Sequence, residues 1–527
     1  MRSYYAHLET TMSATQTAIV KRPILRASAI FPVFQAPGIS SRILFMGYWM
    51  LKRNIQEIAA ISTLRNLDGS VVSRQHWPIT EAKTYRVELK DMLALADIPQ
   101  DATFNGSLEI EFFSTHNFVF PYPATVINYY GPAFSTVVHT AQRVYNDYED
   151  MRANSQTHVP ESGFNIYADE NREPFFGIIN GPIAVPNAQI KMEFYNSNQE
   201  KLEHILDLGT FNPYETKLIF PAEHVDLLQF LNGKVGAAKI YFDVNWIFPR
   251  LLAGNRQRQP DALVVTHTYY DCTEATSDSD YWKPSSPDWH PEALMTPLLA
   301  SSGHYTRLYF YPIYSPSSFF IEIEIYDQKG QCLGTVPHAV TVHSPFNQYV
   351  DICMNTLCQN LNISTEEPLG VRLIAHPMEG SRLPARIKIA LDIGTKKNAL
   401  PCNICTNLQP YYPPFETKPH SFKWCPLLAD HPKSTLWIMN SSPKIHYTNH
   451  DEIELSFYRE KDTTCLKRHL SIPPHGLTVI DPAEDLELAE FFEGQIGWVT
   501  AITTNPYTTL FYFSENASGV IGGDHGF

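Results

Sequence analysis

The chain has 527 residues, 44% of them hydrophobic and 18% charged, so it holds apolar material for several cores and exceeds what one core usually supports. Its net charge of −15 opposes generic binding to nucleic acid or to anionic membranes, because both need clustered Lys and Arg. No run reaches the ~18–20 apolar residues that span a bilayer, and the 39 Pro argue against long helices while 28 Tyr and 30 Phe favour strands.

The N-terminal segment, residues 1–27, is polar. Met1–Ala18 has no apolar stretch of the kind a secretory signal needs, and a start at Met12 would not change that. The eight cysteines are sparse and are not paired repeat by repeat, which suits a reducing compartment. The expected location is therefore cytoplasmic, with leaderless export as the alternative that composition does not address.

From residue 28 onward one pattern recurs four times. The first copy, 28–143, opens with Phe31–Phe34 and an apolar strand Ile43–Trp49. An alternating run follows, Ala60-Ile-Ser-Thr-Leu-Arg-Asn-Leu-Asp-Gly69, with its return strand from Val72. Next come a strand at Tyr85–Leu89, a helical turn at Lys90–Leu95 and a strand at Leu108–Phe113. A polar linker, 144–160, leads to the second copy, 161–275, with Phe164–Ile166, Phe175–Ile179, the hairpin Ile190-Lys-Met-Glu-Phe-Tyr-Asn-Ser-Asn-Gln199, Lys217–Phe220, a helical turn at Ala222–Phe230, and Ala238–Phe242. The linker 276–292 is rich in Ser, Asp, Pro and Trp. The third copy, 293–397, holds Pro297-Leu-Leu-Ala300, Leu308–Ile313, the hairpin Ile321-Glu-Ile-Glu-Ile-Tyr-Asp-Gln-Lys-Gly330, Tyr349–Ile352, Val371–Ile374 and a final strand Ile387–Asp392. After a Pro-, Asn- and Tyr-rich linker, 398–420, the fourth copy, 421–527, repeats the order. It holds Pro426-Leu-Leu-Ala429, Leu436–Met439, the hairpin from Ile453 to Asp462, Leu477–Ile480, a helical turn at Pro482–Phe491, and Trp498–Ile502.

Alternation at period two gives each hairpin strand one buried and one wet face, and the polar turns carry the residues that tolerate hairpin dihedrals. The last apolar residues of these strands, Leu64, Phe194, Ile325 and Phe457, are 130, 131 and 132 residues apart. Six or seven short strands per copy, with turn signals and no long helical periodicity, predict an all-β chain of four tandem immunoglobulin-like antiparallel β-sandwich modules with short helical turns. The hairpin pattern resembles that of many bacterial immunoglobulin-like modules, over one hairpin per repeat. The linker aromatics Tyr281, Trp282, Trp289, Tyr411 and Tyr412 are costly to leave in water, so they are expected to pack between modules and to favour a folded-back array over a rod.

Three constellations carry chemistry. His139 follows Phe120 by nineteen residues and His267 follows Phe248 by nineteen; His525 stands at the corresponding end of the fourth copy, while the third shows no counterpart. Imidazole suits Zn and Cu, but one His per module makes a site only where modules meet; otherwise these are strand histidines bonded to a neighbouring strand. Cys402-x2-Cys405 with His420 and Cys425 approaches the spacing of a structural zinc knuckle, the one cofactor the sequence brings to mind; the alternatives are ordinary reduced cysteines, with Cys425 packed inward, and a redox pair. Trp246, Arg250, Asn255, Tyr269 and Asp271, and the Tyr305–Tyr314 stretch, are the aromatic and polar pieces from which a sugar platform is made, beside their more common use as core and interface filler. No catalytic residue is assigned: the chain has no G-x-S-x-G, no P-loop, no G-x-G-x-x-G after a strand and no H-E-x-x-H. The expected function is that of a non-enzymatic interaction or structural protein with an unidentified protein or glycan partner. The alternative is a carbohydrate-binding or glycan-processing accessory.

Overall fold

The computed structural model describes residues 25–120, 122–139, 142–145, 161–242, 244, 246–248, 250–268, 291–301, 303–313, 318–343, 348–378, 383, 387–431 and 433–526. In the first sandwich, β1 (Arg26–Gln35), β2 (Ser40–Met46), β3 (Ile58–Asn66), β4 (Val71–Ile79), β5 (Thr84–Glu88), β6 (Phe104–Phe113), β7 (Thr125–Gly131) and β8 (Phe134–His139) form two antiparallel sheets. Their orders are β1-β6-β3-β4 and β5-β2-β7-β8. Three further sandwiches repeat both orders strand for strand. The chain is thus all-β, and each unit has eight strands rather than the six or seven expected.

The hairpins lie where alternation put them. Leu64 pairs with Ser73, Phe194 with Leu202, Ile325 with Gly334 and Phe457 with Leu466. In the third hairpin Phe319, Ile321, Ile323 and Ile325 are all fully buried, while Phe320, Glu322 and Glu324 between them are half-exposed. Each such Ile contributes about 1.5–3 kcal/mol by leaving water.

A short helix follows β5, Leu89–Ala94, with counterparts Leu227–Leu231, Met354–Asn360 and Leu486–Phe492. Asp226 and Asp485 cap two of them, accepting from the backbone N–H of Gln229 and Leu488. Met354–Asn360 is absent from the sequence reading because its first turn has neither an acidic residue nor a side-chain cap. Two other expectations are corrected. The strand at Ile43–Trp49 stops at Met46, because Tyr48–Arg53 turns into a helix that buries Trp49. The stretch 398–420 is not only a connection: Cys402–Asn407 is the eighth strand of the third sandwich, paired with Lys388–Thr395, and Pro413–Glu416 is a short helix entered through two prolines. The linkers 144–160 and 276–292 lie mostly outside the described residues, as do Tyr281, Trp282 and Trp289. Tyr412 is buried, and its backbone N–H donates to the Tyr507 hydroxyl of the fourth sandwich at 2.6 Å.

The sandwiches close into a ring. The first reaches the second at its β3–β4 turn, where the Thr216 N–H donates to Leu67 O at 2.8 Å and the Arg65 guanidinium lies 4.3 Å from the Tyr214 ring centre. The third docks on the fourth in the same way. The Leu477 N–H donates to Gln328 O at 3.2 Å, and the Tyr326 and His475 rings stand where Arg65 and Tyr214 do, 4.9 Å apart. The fourth returns to the first: the Thr84 hydroxyl donates to Tyr458 O at 3.2 Å and Arg86 pairs with Glu460 at 3.1 Å. Apolar clusters run across these seams. Leu44, Met46, Val126 and Val137 of the first sandwich share one with Leu436, Ile438 and Tyr512 of the fourth.

The second sandwich meets the third around a buried carboxyl. Tyr167 donates to Asp392 Oδ2, Asn403 Nδ2 donates to Oδ1 at 2.5 Å, and Arg172 donates to Ala399 O at 2.6 Å. Burial pushes the Asp392 carboxyl up to about 7, against the pull of the Tyr167 and Asn403 bonds. The folded state therefore holds this proton more tightly than the unfolded chain does. The stability it contributes is complete below the ordinary carboxylate value of 3.8 and is lost as pH rises through about 7. Relative to Asp392→Asn, the wild type should lose stability between about pH 4 and pH 7. Urea midpoints of the two proteins measured across that range test this; parallel curves would contradict it.

Candidate functional site

The eighth strands face the centre of the ring. β8 lies against its counterparts Ala262–His267 and Ile521–His525, and Cys402–Asn407 lies against those same two. Small side chains allow this approach. Thr136 Oγ1 accepts from the Val265 N–H at 3.2 Å, Ser514 Oγ donates to Ser135 O at 3.2 Å, and Cys402 Sγ lies 3.5 Å from Gly523 O.

Three of the four strands end on histidine, at His139, His267 and His525. Their rings gather edge to face. The centroid of His139 is 4.4 Å from that of His267 and 4.6 Å from that of His525, and the latter two are 6.0 Å apart. Asp524 completes the group. Its Oδ2 lies 2.7 Å from His139 Nδ1 and accepts the His139 backbone N–H at 2.9 Å, while Oδ1 accepts the His525 N–H at 2.8 Å. One donor atom from each of His139, His267, Asp524 and His525 lies within 4.8 Å of the other three. His139 and His267 are 1% exposed, Asp524 is 3% exposed and His525 is half-buried.

Burial first, then the positive fields of His525 and Arg250, hold His139 well below the usual imidazole range; burial, His139 and Arg250 do the same to His267. Burial pushes the Asp524 carboxyl up to about 6, opposed by His525, the His139 N–H and Arg250. Burial thus favours the neutral imidazole at His139 and His267 and resists ionisation of the Asp524 carboxyl.

The recurring histidines and Arg250 thus come together. Asp524 was missed by sequence reasoning. Its signal was its place directly before His525 in Gly-Gly-Asp-His, and it reads as a turn residue until the strands are assembled. The cysteine set does not assemble. Cys402 and Cys405 are three residues apart on one strand, hence on opposite faces, and both are buried within the third sandwich's cluster. Cys425 is buried in the fourth sandwich's core and His420 is exposed. Among the described residues no group with metal-ligand distances contains any of the four, and burial raises the Cys402 and Cys425 thiols, which disfavours the thiolate a metal needs. Of the aromatic set, Tyr309 is fully buried, and Trp246 and Arg250 are half-buried. Asn255 is buried with its Oδ1 accepting from the Tyr167 N–H at 2.8 Å. Tyr269 and Asp271 lie outside the described residues. Among those residues no helix is long and apolar enough to cross a membrane.

Fold and site together define an all-β chain of four tandem antiparallel sandwiches closed around a buried cluster of three histidines and one aspartate. No protein-family model and no curated protein matches the chain. Solved structures overlap it weakly. A tetra-tandem repeat from the extending region of a large adhesion protein is 8% identical over 90% of this chain and 92% of that one, with a TM-score of 0.09. The CupB6 tip adhesin from Pseudomonas aeruginosa is 9% identical over 52% of this chain and 96% of that one, with a TM-score of 0.12. A β-glucuronidase of glycoside hydrolase family 2 is 9% identical over 47% of this chain and 24% of that one, with a TM-score of 0.11. At such scores none of them carries an argument about role.

Proposed function

We propose that this chain is a non-enzymatic structural and interaction protein, a closed four-sandwich scaffold that offers its outward edge strands to protein partners. The observation that carries this reading is the fourth strand of each sandwich. β4 and its counterparts Lys201–Phe211, Cys332–Val342 and Cys465–Ile472 each end a sheet. A terminal strand offers backbone N–H and C=O groups to an added strand, with side-chain pockets on alternate positions for specificity. Among these four strands Lys201–Phe211 carries the most exposed apolar anchor, Ile205, which is 60% exposed among the charged Lys201, Glu203 and Asp207. The eighth strands, by contrast, are spent on holding the ring together. The test is capture of partners from the cell of origin by the full chain, with cross-links mapped by mass spectrometry. Cross-links should fall on the fourth strands, and Ile205→Lys should lose a captured partner without changing the melting temperature. Partners mapped only to other surfaces, indifferent to the variant, would overturn the reading.

A further inference from the structure

We propose that the centre of the ring is a structural metal site, in which His139, His267 and His525 bind one divalent ion of the zinc class and Asp524 orients His139. His267 Nδ1 lies 3.3 Å from Thr268 O and His525 Nδ1 lies 3.0 Å from Gly526 O. A carbonyl oxygen only accepts, so each Nδ1 carries its hydrogen, and in the neutral form of each ring the lone pair is on Nε2. His139 Nδ1 faces Asp524 Oδ2 at 2.7 Å, which likewise places the hydrogen on Nδ1 and the lone pair on Nε2. Ring nitrogens that give their second N–H to backbone carbonyls or a carboxylate are the arrangement found behind metal-ligating histidines.

The three rings come from three sandwiches, with His139 and His267 separated by 128 residues and His267 and His525 by 258. Local sequence cannot have placed them together. Tetrahedral ligands on zinc stand about 3.3 Å apart, and one ligand-capable atom from each of His139, His267, Asp524 and His525 already lies within 4.8 Å of the others, so side-chain rotation has to bring the three Nε2 atoms onto one ion. Three imidazoles with a nearby carboxylate suit zinc and its borderline neighbours rather than calcium or magnesium, which take oxygen. His139, His267 and Asp524 are buried and His525 is half-buried. The role of the site is to tie the first, second and fourth sandwiches together at the histidine ends of their last strands. This inference concerns the ring's interior and stands or falls apart from the edge-strand reading.

The test uses the full chain purified without a histidine tag. Elemental analysis should find one zinc per chain, chelation should lower the melting temperature, and zinc should restore it. Cobalt loaded in place of zinc should give the intense visible bands of a tetrahedral site. His525→Ala changes the half-buried member of the cluster and should lose the bound metal and the cobalt bands together. Metal-free protein whose melting temperature ignores zinc and cobalt would overturn the proposal. So would a bound metal that His525→Ala retains in full.

Discussion

Replacing Glu109 by alanine is expected to cost about 3–5 kcal/mol of folding stability, the loss typical when one partner of a buried ion pair is removed. Glu109 lies on β6 and is fully buried. Its Oε1 accepts from Arg26 at 3.2 Å and its Oε2 from Arg65 at 2.9 Å. Arg26 also donates to Glu111 at 2.8 Å and to Val144 O at 3.3 Å, which ties β1 to β6 and to the strand leaving the sandwich. Arg65 continues outward to the Tyr214 ring of the second sandwich. Without Glu109, two guanidiniums remain in a site that 5–8% exposure leaves nearly dry. The effect should therefore reach beyond the first sandwich. In hydrogen exchange the Thr216 amide, which bonds to Leu67 across the seam, should open together with β6. Denaturant unfolding supplies the energy. A loss under about 1 kcal/mol would mean that water reaches the arginines.

Gly522→Val should be the most damaging substitution at the ring's centre. A Cβ at this position would stand 1.8 Å from Ser135 O and 2.6 Å from Thr136 Cα, both backbone atoms of β8. No rotamer relieves a clash between two main chains. The strand Ile521–His525 must withdraw, and with it go Asp524, His525 and the Ser514 bond to Ser135. The expected cost is about 3 kcal/mol or more, the upper end of overpacking. The control is Gly163→Ala, where the nearest atom to a new Cβ is Ala238 O at 3.6 Å, an ordinary contact; there the change should stay within about 1 kcal/mol. Thermal melts of both variants, with small-angle scattering to follow ring opening, check the contrast. A Gly522→Val protein as compact and as stable as wild type would show that the fourth sandwich does not press on the first.

The amino-acid sequence by itself determined the repeated sandwich. Ile190, Ile321 and Ile453 alternate with polar neighbours at period two, and that local rule is enough to set strand faces, hairpin turns and the spacing of the copies. It was enough as well for the helical turns that Asp226 and Asp485 cap, and not for Met354–Asn360, which lacks such a signal. It also marked His139, His267 and His525 as recurring positions. Only the tertiary structure decided that they meet. That outcome depends on Gly522, Ser135 and Thr136 letting strands from sandwiches hundreds of residues apart touch, and on seams such as Thr216 with Leu67 and Thr84 with Tyr458. The same assembly separated Cys402 and Cys405 from Cys425, although they are close in sequence, by placing them in two different cores. Strand periodicity is a property of adjacent residues and can be read along the chain. Docking between finished sandwiches depends on the shape of whole surfaces, which no short stretch of residues encodes.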